Sequence, residues 1–270
     1  MREVRLRDVE GVRWLPDEVS GVGALVLAGS SGRVDSARAE LLARSGAVAE
    51  SIQWFGGVGQ HEGPWEIPVE LFLDRAAALA KDCERVLVLG TSFGAEAALL
   101  TGAHSPDVDA VVAFAPSDVV WAGVRADGTV TSHWAMDGAP LPHVPFDESW
   151  EPDDDVPAFL GMYEASRRRF SAQIEAATIP VERIKQLVLV AGGDDQVWPS
   201  VEMAESIRAR REKHRLDTLL LSAPDAGHRT ILPGEPTVTG GMRIRRGGTE
   251  AADRDLGTAA WPHVERLLHI

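Results

Sequence analysis

The stretch "GTSFG", residues 90–94, follows the apolar run "RVLVL" (85–89) and precedes the small-residue run "AEAALL" (95–100). This order predicts a strand, a sharp turn and a helix, with Ser92 at the turn. In a G-x-S-x-G elbow the serine occupies a strained position, and the flanking glycines let neighbouring backbone pass close by. The pattern predicts that Ser92 is a nucleophile. A glycine-rich corner without chemistry is the alternative.

Further apolar runs recur along the chain and are separated by helix-like segments. The runs span residues 24–28, 85–89, 108–115, 186–191 and 217–222, and the helix-like segments span 35–45, 69–81, 94–103, 200–213 and 257–268. Continuous apolar character is typical of strands buried on both faces of a parallel sheet covered by helices. The alternating opening "EVRLRDVEGVRWLP" (3–16) predicts a hairpin or edge strand. The predicted fold class is therefore α/β, with a mostly parallel, doubly wound sheet.

The alternation breaks between residues 117 and 180, where aromatic residues and prolines occur in irregular surroundings. A segment this long and apolar is not an ordinary connection, so we predict an inserted cap, with its helical part at 156–176. A second irregular segment covers 231–250. Because the chain shows no internal repeat and no low-complexity linker, residues 1–270 are predicted to form a single domain that contains the cap.

An activated serine needs a base, and the base needs a group that holds its tautomer. Asp194 and Asp195 follow the apolar run "QLVLVA", and His228 follows the run "DTLLLS". The carboxyl ends of strands converge on the site of an open α/β sheet. We therefore predict Asp195 as the orienting acid and His228 as the base. Asp194 is the alternative acid, and Asp225 is predicted to organise its own turn.

Two backbone N–H groups are predicted to hold the negative oxygen that develops when Ser92 attacks a carbonyl. One belongs to Phe93, the residue after the nucleophile. The other is expected from the loop "GSSG" (29–32), where Ser31 is preferred over Ser30. These glycines are not predicted to bind phosphate as a P-loop, because no "GK[ST]" follows them.

Composition argues against several classes of function. With 41 acidic and 27 basic residues the formal net charge is -14, which predicts no binding to nucleic acid or to anionic lipid. The single cysteine, Cys83, cannot form an internal disulfide, and the N-terminus lacks the apolar core of a signal peptide, so a cytoplasmic location is predicted. No run approaches the ~20 apolar residues of a membrane span. Neither a metal nor a cofactor is predicted, because metal-ligand spacing and a G-x-G-x-x-G fingerprint are missing.

The chain as a whole resembles the catalytic domain shared by acyl-CoA thioesterases and bile acid-CoA:amino acid N-acyltransferases, which are α/β-hydrolases related to dienelactone hydrolases. The resemblance is carried by "LGTSFGAEAAL" (89–99), "APSDVVWAGVRADGTVTSHWAMDGAPLP" (115–142), "IPVERIKQLVLVAGGDDQVWPS" (179–200) and "DAGHRTILPGEPT" (225–237). It implies an α/β-hydrolase fold in which Ser92 is the nucleophile, Asp195 the orienting acid and His228 the base.

Two departures limit what the resemblance implies. Family members often carry an N-terminal β-sandwich domain, for which 270 residues leave no room. The residue after the nucleophile is often basic in relatives and is Phe93 here. The elbow residue is Ser92, as in the thioesterases, whereas the acyltransferases use cysteine. Hydrolysis of a small-molecule acyl thioester or activated ester is therefore predicted, rather than transfer to an amine.

An acyl pocket is predicted from aromatic residues and one histidine, with a packed cap core as the alternative. These residues are Trp54, Phe55, His61, Trp121, Trp134, Phe146 and Trp150. "RRR" (167–169) and "RIRR" (243–246) are candidates for contacts with coenzyme A phosphates, against the alternative of solvated surface. A carboxylesterase, a lactonase, or a peptide-processing hydrolase or acyltransferase would use the same machinery. A binding or isomerising protein that uses the cleft without hydrolysis is an alternative of another class.

Overall fold

The computed structural model describes residues 1–237 and 242–269; residues 238–241, within the predicted irregular segment 231–250, and residue 270 lie outside the described residues. The strands are β1 (Arg2–Arg5), β2 (Gly11–Leu15), β3 (Val22–Leu27), β4 (Val48–Ile52), β5 (Ile67–Pro68), β6 (Arg85–Thr91), β7 (Ala110–Phe114), β8 (Ala122–Val124), β9 (Val130–Ser132), β10 (Trp134–Met136), β11 (Ala139–Pro140), β12 (Gln186–Gly192) and β13 (Leu219–Ala223). The helices are α1 (Ser36–Arg44), α2 (Glu70–Asp82), α3 (Phe93–His104), α4 (Leu160–Arg169), α5 (Ser171–Ala177), α6 (Ser200–Lys213) and α7 (Glu250–Leu268).

The main sheet has the strand order β1-β2-β4-β3-β6-β7-β12-β13. All neighbouring pairs from β4 to β13 are parallel, and the N-terminal hairpin of β1 and β2 adds to β4 in antiparallel fashion. Helices connect the parallel strands, as parallel pairing requires. The predicted mostly parallel α/β sheet and the predicted N-terminal hairpin are confirmed.

The central strands are buried on both faces, which explains their continuous apolar sequences. In β3, Leu25 and Leu27 pack in the core layer that contains α2 and α3, whereas Ala24 and Val26 pack in the layer that contains α1 and α7. All four side chains are at most 2% exposed. The sheet therefore separates two core layers and holds the carboxyl ends of its strands in fixed positions.

Strand β4 was not among the predicted strands, because its sequence "VAESI" places a glutamate in the middle. Glu50 is fully buried in an ion cluster: its carboxylate accepts hydrogen bonds from Arg13 on β2 at 2.6 Å and from Arg75 on α2 at 2.7 Å. Arg75 also binds Asp8 at 2.6 Å. Charge pairing of this kind makes a buried carboxylate tolerable inside a sheet.

Residues 117–180 lie between β7 and β12 and combine short strands with α4 and α5. β10 pairs in parallel with β5, where Trp134 lies opposite Ile67, and β8 pairs with β9 as a hairpin. The helical part predicted at 156–176 is present and is divided into two helices, α4 and α5. Phe170 separates them with φ -107° and ψ 34°, outside helical geometry, while its side chain packs against the core. Within the described residues, none of the helices has the length and apolar character needed to cross a membrane.

Candidate active site

Ser92 lies between β6 and α3 with φ 60° and ψ -126°, a conformation that is uncommon for a residue with a side chain. The flanking glycines make this turn sterically possible. A Cβ atom on Gly90 would lie 1.9 Å from the carbonyl oxygen of Gly94, and one on Gly94 would lie 2.0 Å from the carbonyl oxygen of Ala28. The strand-to-helix elbow predicted from residues 90–94 is confirmed as backbone geometry.

The other two predicted residues meet at the carboxyl ends of β12 and β13. His228 Nδ1 lies 2.8 Å from Asp195 Oδ2, and both side chains are buried. The second oxygen of Asp195 accepts hydrogen bonds from the backbone N–H groups of Val197 at 2.8 Å and Trp198 at 3.2 Å. With the proton on Nδ1, the ring donates to Asp195 and leaves Nε2 as a proton acceptor.

Ser92 and His228 line one cavity of about 800 Å³. This size is typical of pockets that enclose small-molecule ligands. Its apolar wall includes Phe159, Met162, Tyr163, Val197 and Ile231. A nucleophile candidate, a base candidate and an apolar surface for a ligand therefore share one space.

Asp194 does not contact the histidine and serves a different part of the site. Its carboxylate accepts hydrogen bonds from Gln196 Nε2 at 2.8 Å and from the backbone N–H of Gly248 at 2.7 Å. Asp225 is exposed at the start of the turn that leads to His228. Of the two adjacent aspartates, it is Asp195 that contacts the ring of His228.

A segment that we call the strap, residues 242–249, contacts the loops that carry Asp195 and His228. The carbonyl oxygen of Arg246 accepts hydrogen bonds from the backbone N–H of His228 at 2.9 Å and of Gln196 at 3.3 Å. A Cβ atom on Gly247 would lie 1.6 Å from the carbonyl oxygen of Asp194, so the strap approaches that loop through its glycine. Sequence reasoning missed this contact, although the glycine pair at 247–248 was a signal of close backbone approach.

Asp253, in the first turn of α7, is a second residue that sequence reasoning missed. Its Oδ1 accepts a hydrogen bond at 2.7 Å from the backbone N–H of Gly227, directly before His228. Burial raises the pKa of Asp253, and the nearby Asp195 charge raises it further. Asp253 lines the cavity, and its hydrogen bond joins α7 to the loop that carries His228.

The predicted oxyanion donors flank the elbow. The backbone N–H of Phe93 starts α3 directly after Ser92. Ser30 and Ser31 lie in a turn closed by a 2.9 Å hydrogen bond from the N–H of Gly32 to the carbonyl of Gly29, and both line the cavity. The loop is thus next to the elbow, where a second donor is needed.

The residues predicted to form an acyl pocket are placed elsewhere: none of the seven, all of which the structure describes, lines the cavity of Ser92. They are Trp54, Phe55, His61, Trp121, Trp134, Phe146 and Trp150. Trp54 and Trp134 stack at 5.2 Å in the core, and Trp121 packs edge-to-face on Tyr163 at 4.6 Å. Phe55, His61 and the aromatic pair at 146 and 150 are partly buried outside the cavity wall. This placement matches the alternative of packed aromatic clusters, because the rings fill space between elements.

The arginine triplet at 167–169 forms ion pairs outside the cavity, and only Arg168 and Arg169 are exposed. Arg167 binds Asp118 at 2.7 Å, and Arg169 binds Asp147 at 2.5 Å. In the second basic stretch, Arg245 pairs with Asp154 at 2.7 Å, whereas Arg246 lies in the cavity wall. Only the second stretch therefore reaches the site.

A neutral polar cluster lies behind the elbow. The buried Glu96 accepts hydrogen bonds from Trp134 Nε1 at 2.9 Å and from the backbone N–H of Trp121 at 3.3 Å, and burial raises its pKa to about 8. Burial lowers the pKa of His133 to about 3, and its ring stacks on Phe93 at 4.1 Å. Both groups are mainly uncharged at neutral pH, so they support the elbow without adding a net charge to it.

The comparisons with known proteins agree with this architecture. Residues 72–250 match the family model described as BAAT / Acyl-CoA thioester hydrolase C terminal. No curated protein sequence matches the chain significantly.

Across the described residues, no three His, Cys, Asp or Glu side chains gather as a metal-ligand set.

Solved structures with the same fold include hydrolases of several kinds. A protein from Klebsiella pneumoniae subsp. pneumoniae assigned as a dienelactone hydrolase has 14% identity and a TM-score of 0.56, with 99% of this chain and 97% of that chain covered. A lipase in its open form has 13% identity and a TM-score of 0.55, covering 99% and 98%. The esterase domain of a Rhodothermus marinus protein has 14% identity and a TM-score of 0.51, covering 96% and 92%. At these identities the likeness shows the α/β-hydrolase fold alone.

Proposed function

Since the chain belongs to the BAAT / acyl-CoA thioester hydrolase C-terminal family and is an α/β-hydrolase enzyme, we propose that it hydrolyses an acyl thioester through Ser92, His228 and Asp195. One observation carries the proposal: His228, whose ring contacts Asp195 at 2.8 Å, lines the same cavity as Ser92 at its elbow. The family supports ester or thioester hydrolysis in general. We propose two further points: the substrate is a thioester, and Ser92, His228 and Asp195 act as nucleophile, base and orienting acid.

In the proposed mechanism, Ser92 Oγ attacks the thioester carbonyl carbon while His228 Nε2 takes the hydroxyl proton. Asp195 holds the ring and stabilises the imidazolium. The backbone N–H groups of Phe93 and Ser31 donate to the oxygen as it becomes negative, each contributing about 3 to 4 kcal/mol. The C–S bond then breaks, and His228 returns the proton to the leaving thiolate.

The acyl-enzyme is released by water. His228 takes a proton from the water, the hydroxide adds to the acyl carbon, and the Ser92 oxygen leaves with the proton that the imidazolium returns. In the same proposal, residues 117–180 act as a cap, since Phe159, Met162 and Tyr163 of this segment contribute to the apolar wall of the cavity. An apolar acyl chain fits such a wall.

The experiment compares Ser92→Ala with the wild type on a panel of acyl thioesters, esters and lactones, with thiol or acid release as the measurement. We expect Ser92→Ala to lower kcat by about 10⁵-fold or more, because the covalent route is lost. The exposed Ser222→Ala is the matched control and keeps wild-type turnover. If Ser92→Ala is folded and keeps full turnover, the assignment of Ser92 as the nucleophile is contradicted.

The same machinery suits a carboxylesterase, a lactonase or a peptide-processing hydrolase or acyltransferase. The panel separates the thioesterase, carboxylesterase and lactonase activities, and a peptide substrate assayed beside it tests peptide processing. Adding amines to the assay tests transfer against hydrolysis, since an amide product reports an amine acceptor. A non-hydrolytic binding or isomerising protein is distinguished by a fluorophosphonate probe. The proposal expects labelling at Ser92 and none in Ser92→Ala, and a folded wild-type protein that stays unlabelled contradicts it.

A further inference from the structure

The chain contains a single tyrosine, Tyr163, and this residue lies in the wall of the catalytic cavity. Elsewhere the chain fills space with seven phenylalanines and eight tryptophans. The neighbours of Tyr163 in the same part of the wall, Phe159 and Met162, are apolar. The phenol therefore adds one oxygen to a surface that does not need it for packing.

The helix that carries Tyr163 is attached to the loop of the orienting acid. At the start of α4, the backbone N–H of Leu160 donates to the carbonyl oxygen of Gln196 at 3.1 Å. Gln196 directly follows Asp195 in the chain. The Tyr163 ring is also held from the other side, because it packs edge-to-face on Trp121 at 4.6 Å. The position of the phenol relative to the site is thus fixed by backbone and by packing.

One indole joins the phenol to two groups of the proposed machinery. Trp198 meets the Tyr163 ring edge-to-face, with 5.4 Å between the ring centroids. The same indole packs against His228 at 5.7 Å and against Phe93 at 5.5 Å. Tyr163 therefore belongs to a region of the cavity wall that adjoins the base and the oxyanion donor.

The Tyr163 hydroxyl forms no hydrogen bond with any of the residues that the structure describes, although Tyr163 is only 5% exposed. The fully buried side-chain atoms without a partner belong to Trp54, Glu96 and His133. The Tyr163 oxygen is not one of these sealed atoms, so it is accessible from the cavity that the residue lines. A hydroxyl in such a place is costly without a partner, and a ligand oxygen would supply one.

The surroundings of the phenol keep it protonated. Burial raises the pKa of Tyr163, and the carboxyl groups of Glu96 and Asp195 raise it further. The hydroxyl is therefore a hydrogen-bond donor at physiological pH. The charge of the nearby Asp195 would repel a carboxylate bound at the same place. A neutral acceptor suits this position better than an anion.

We propose that the Tyr163 hydroxyl donates a hydrogen bond to a neutral oxygen in the acyl part of the substrate, which is a hydroxyl, keto or ether oxygen. The inference rests on the proposed function, because it names the acyl class that this cavity selects. The acyl part is favoured over the thiol part because Phe159 and Met162 form, with Tyr163, the apolar wall that the cap contributes.

Such a hydrogen bond would make the cavity selective. A site that binds an oxygen of its substrate rejects the analogue that lacks this oxygen, whereas a purely apolar wall discriminates weakly. The substrate class that follows is an oxygenated acyl thioester rather than a simple fatty acyl thioester.

The first experiment measures kcat/KM for a heptanoyl thioester and for a series in which one CH2 not bonded to the carbonyl carbon is replaced by an ether oxygen. Each oxygen compound is compared with the heptanoyl parent, in the wild type and in Tyr163→Phe, which keeps the ring. We expect the ratio of oxygen compound to parent to fall about tenfold in Tyr163→Phe for at least one position, the range of one hydrogen bond.

Ser149→Ala is the matched control. It removes an exposed hydroxyl of the cap that lies outside the cavity and donates to Asp147 at 2.7 Å, so every ratio should stay at the wild-type value. If the ratios are equal in the wild type and Tyr163→Phe while Ser92-dependent turnover persists, the oxygen site is contradicted and the proposed hydrolase function remains. Unchanged ratios together with a loss of stability to urea assign the hydroxyl to an internal contact, such as one with Glu96, and also contradict the inference.

The second experiment measures binding without turnover. Because the chain has one tyrosine, incorporating tyrosine fluorinated beside its hydroxyl gives a single fluorine NMR resonance. The ligands are ketone analogues of the whole series, in which CH2 replaces the thioester sulfur, and they are added to Ser92→Ala. We expect one oxygen analogue to shift the resonance further than the carbon analogue and to raise Tm more. This result supports the site even if the hydrolase proposal fails on the substrate panel, whereas equal shifts from all analogues contradict it.

Discussion

Two adjacent carboxylates have different partners in this protein. Asp195 contacts the ring of His228 at 2.8 Å, whereas Asp194 accepts from the backbone of Gly248 in the strap. The difference arises because successive residues of the loop after β12 point to opposite sides. One aspartate faces the buried ring and the other faces the surface segment that covers it.

This division predicts different effects of the same substitution. Asp195→Asn should lower kcat by about 10⁴-fold, because an amide that donates to Nδ1 favours the wrong tautomer of His228. Asp194→Asn is the matched variant, and it keeps an oxygen that accepts from Gly248, so we expect a change of less than about tenfold. Steady-state kinetics and circular dichroism of both variants provide the measurement. Equal losses in two folded variants contradict the assignment.

Sequence alone could predict Ser92, Asp195 and His228 as candidates because each lies in the loop or turn after an apolar run, and parallel strands end at one edge. It could not predict Asp253 or Glu96. Their importance comes from what they contact after folding: the backbone of the histidine loop in one case, and buried indole and amide donors in the other. Neither contact leaves a local pattern in the sequence.

At the scale of elements, the elbow depends on a close approach of three backbone segments. Gly94→Ala should destabilise the fold by about 3 kcal/mol or more, since its Cβ would meet the carbonyl oxygen of Ala28 at 2.0 Å. Gly161→Ala in α4 is the control, because its Cβ would meet only the indole nitrogen of Trp150, at 3.3 Å. We expect it to be neutral or stabilising by up to about 1 kcal/mol.

Urea unfolding followed by circular dichroism measures both glycine variants. If Gly94→Ala unfolds at the wild-type midpoint and keeps activity, the elbow does not need the tight contact. If Gly161→Ala loses as much stability as Gly94→Ala, the effect is a general cost of removing glycine and does not come from the elbow.

The elements that could be predicted are those whose pattern is local. β3 and β7 are apolar throughout, and β6 and β12 are apolar between their ends, because both faces of the sheet are covered. β4 was missed because Glu50 is stabilised by arginines from β2 and α2, which are distant in sequence. The short strands of residues 117–180 were missed for a similar reason. β10 is stabilised by parallel pairing with β5, which is distant in sequence.

At the scale of the whole molecule, Glu96 links stability to pH. The unfolded carboxyl ionises around 4.5, whereas burial raises the folded pKa to about 8. Between these values the folded state holds a proton that the unfolded state has released, so rising pH lowers the free energy of unfolding, by up to about 1.4 kcal/mol per pH unit. Above the folded pKa the contribution is fully lost.

The prediction is that Glu96→Gln gains stability relative to the wild type as pH rises from 5 to 8. The amide keeps an oxygen for Trp134 Nε1 and carries no titrating proton. Urea unfolding at several pH values measures the difference, and the exposed Glu175→Gln is the control. Parallel stability curves for Glu96→Gln and wild type would contradict a protonated Glu96 in the folded state.

His133 gives the opposite slope at lower pH. Its folded pKa is lowered to about 3 from 6.5, so between these values only the unfolded state binds the proton, and stability rises with pH. Where the two windows overlap, the contributions of His133 and Glu96 oppose each other. The buried polar cluster therefore tends to flatten the pH dependence of folding in mildly acidic solution.

The strap has a consequence for how the enzyme fails. The carbonyl of Arg246 is a shared anchor for the loops that carry Asp195 and His228, while neither core layer depends on it for packing. Local fraying of those few bonds would disengage the imidazole and leave the sheet intact. On warming, we therefore expect the hydrolase activity to be lost at a lower temperature than the far-ultraviolet circular dichroism signal of the folded sheet and helices.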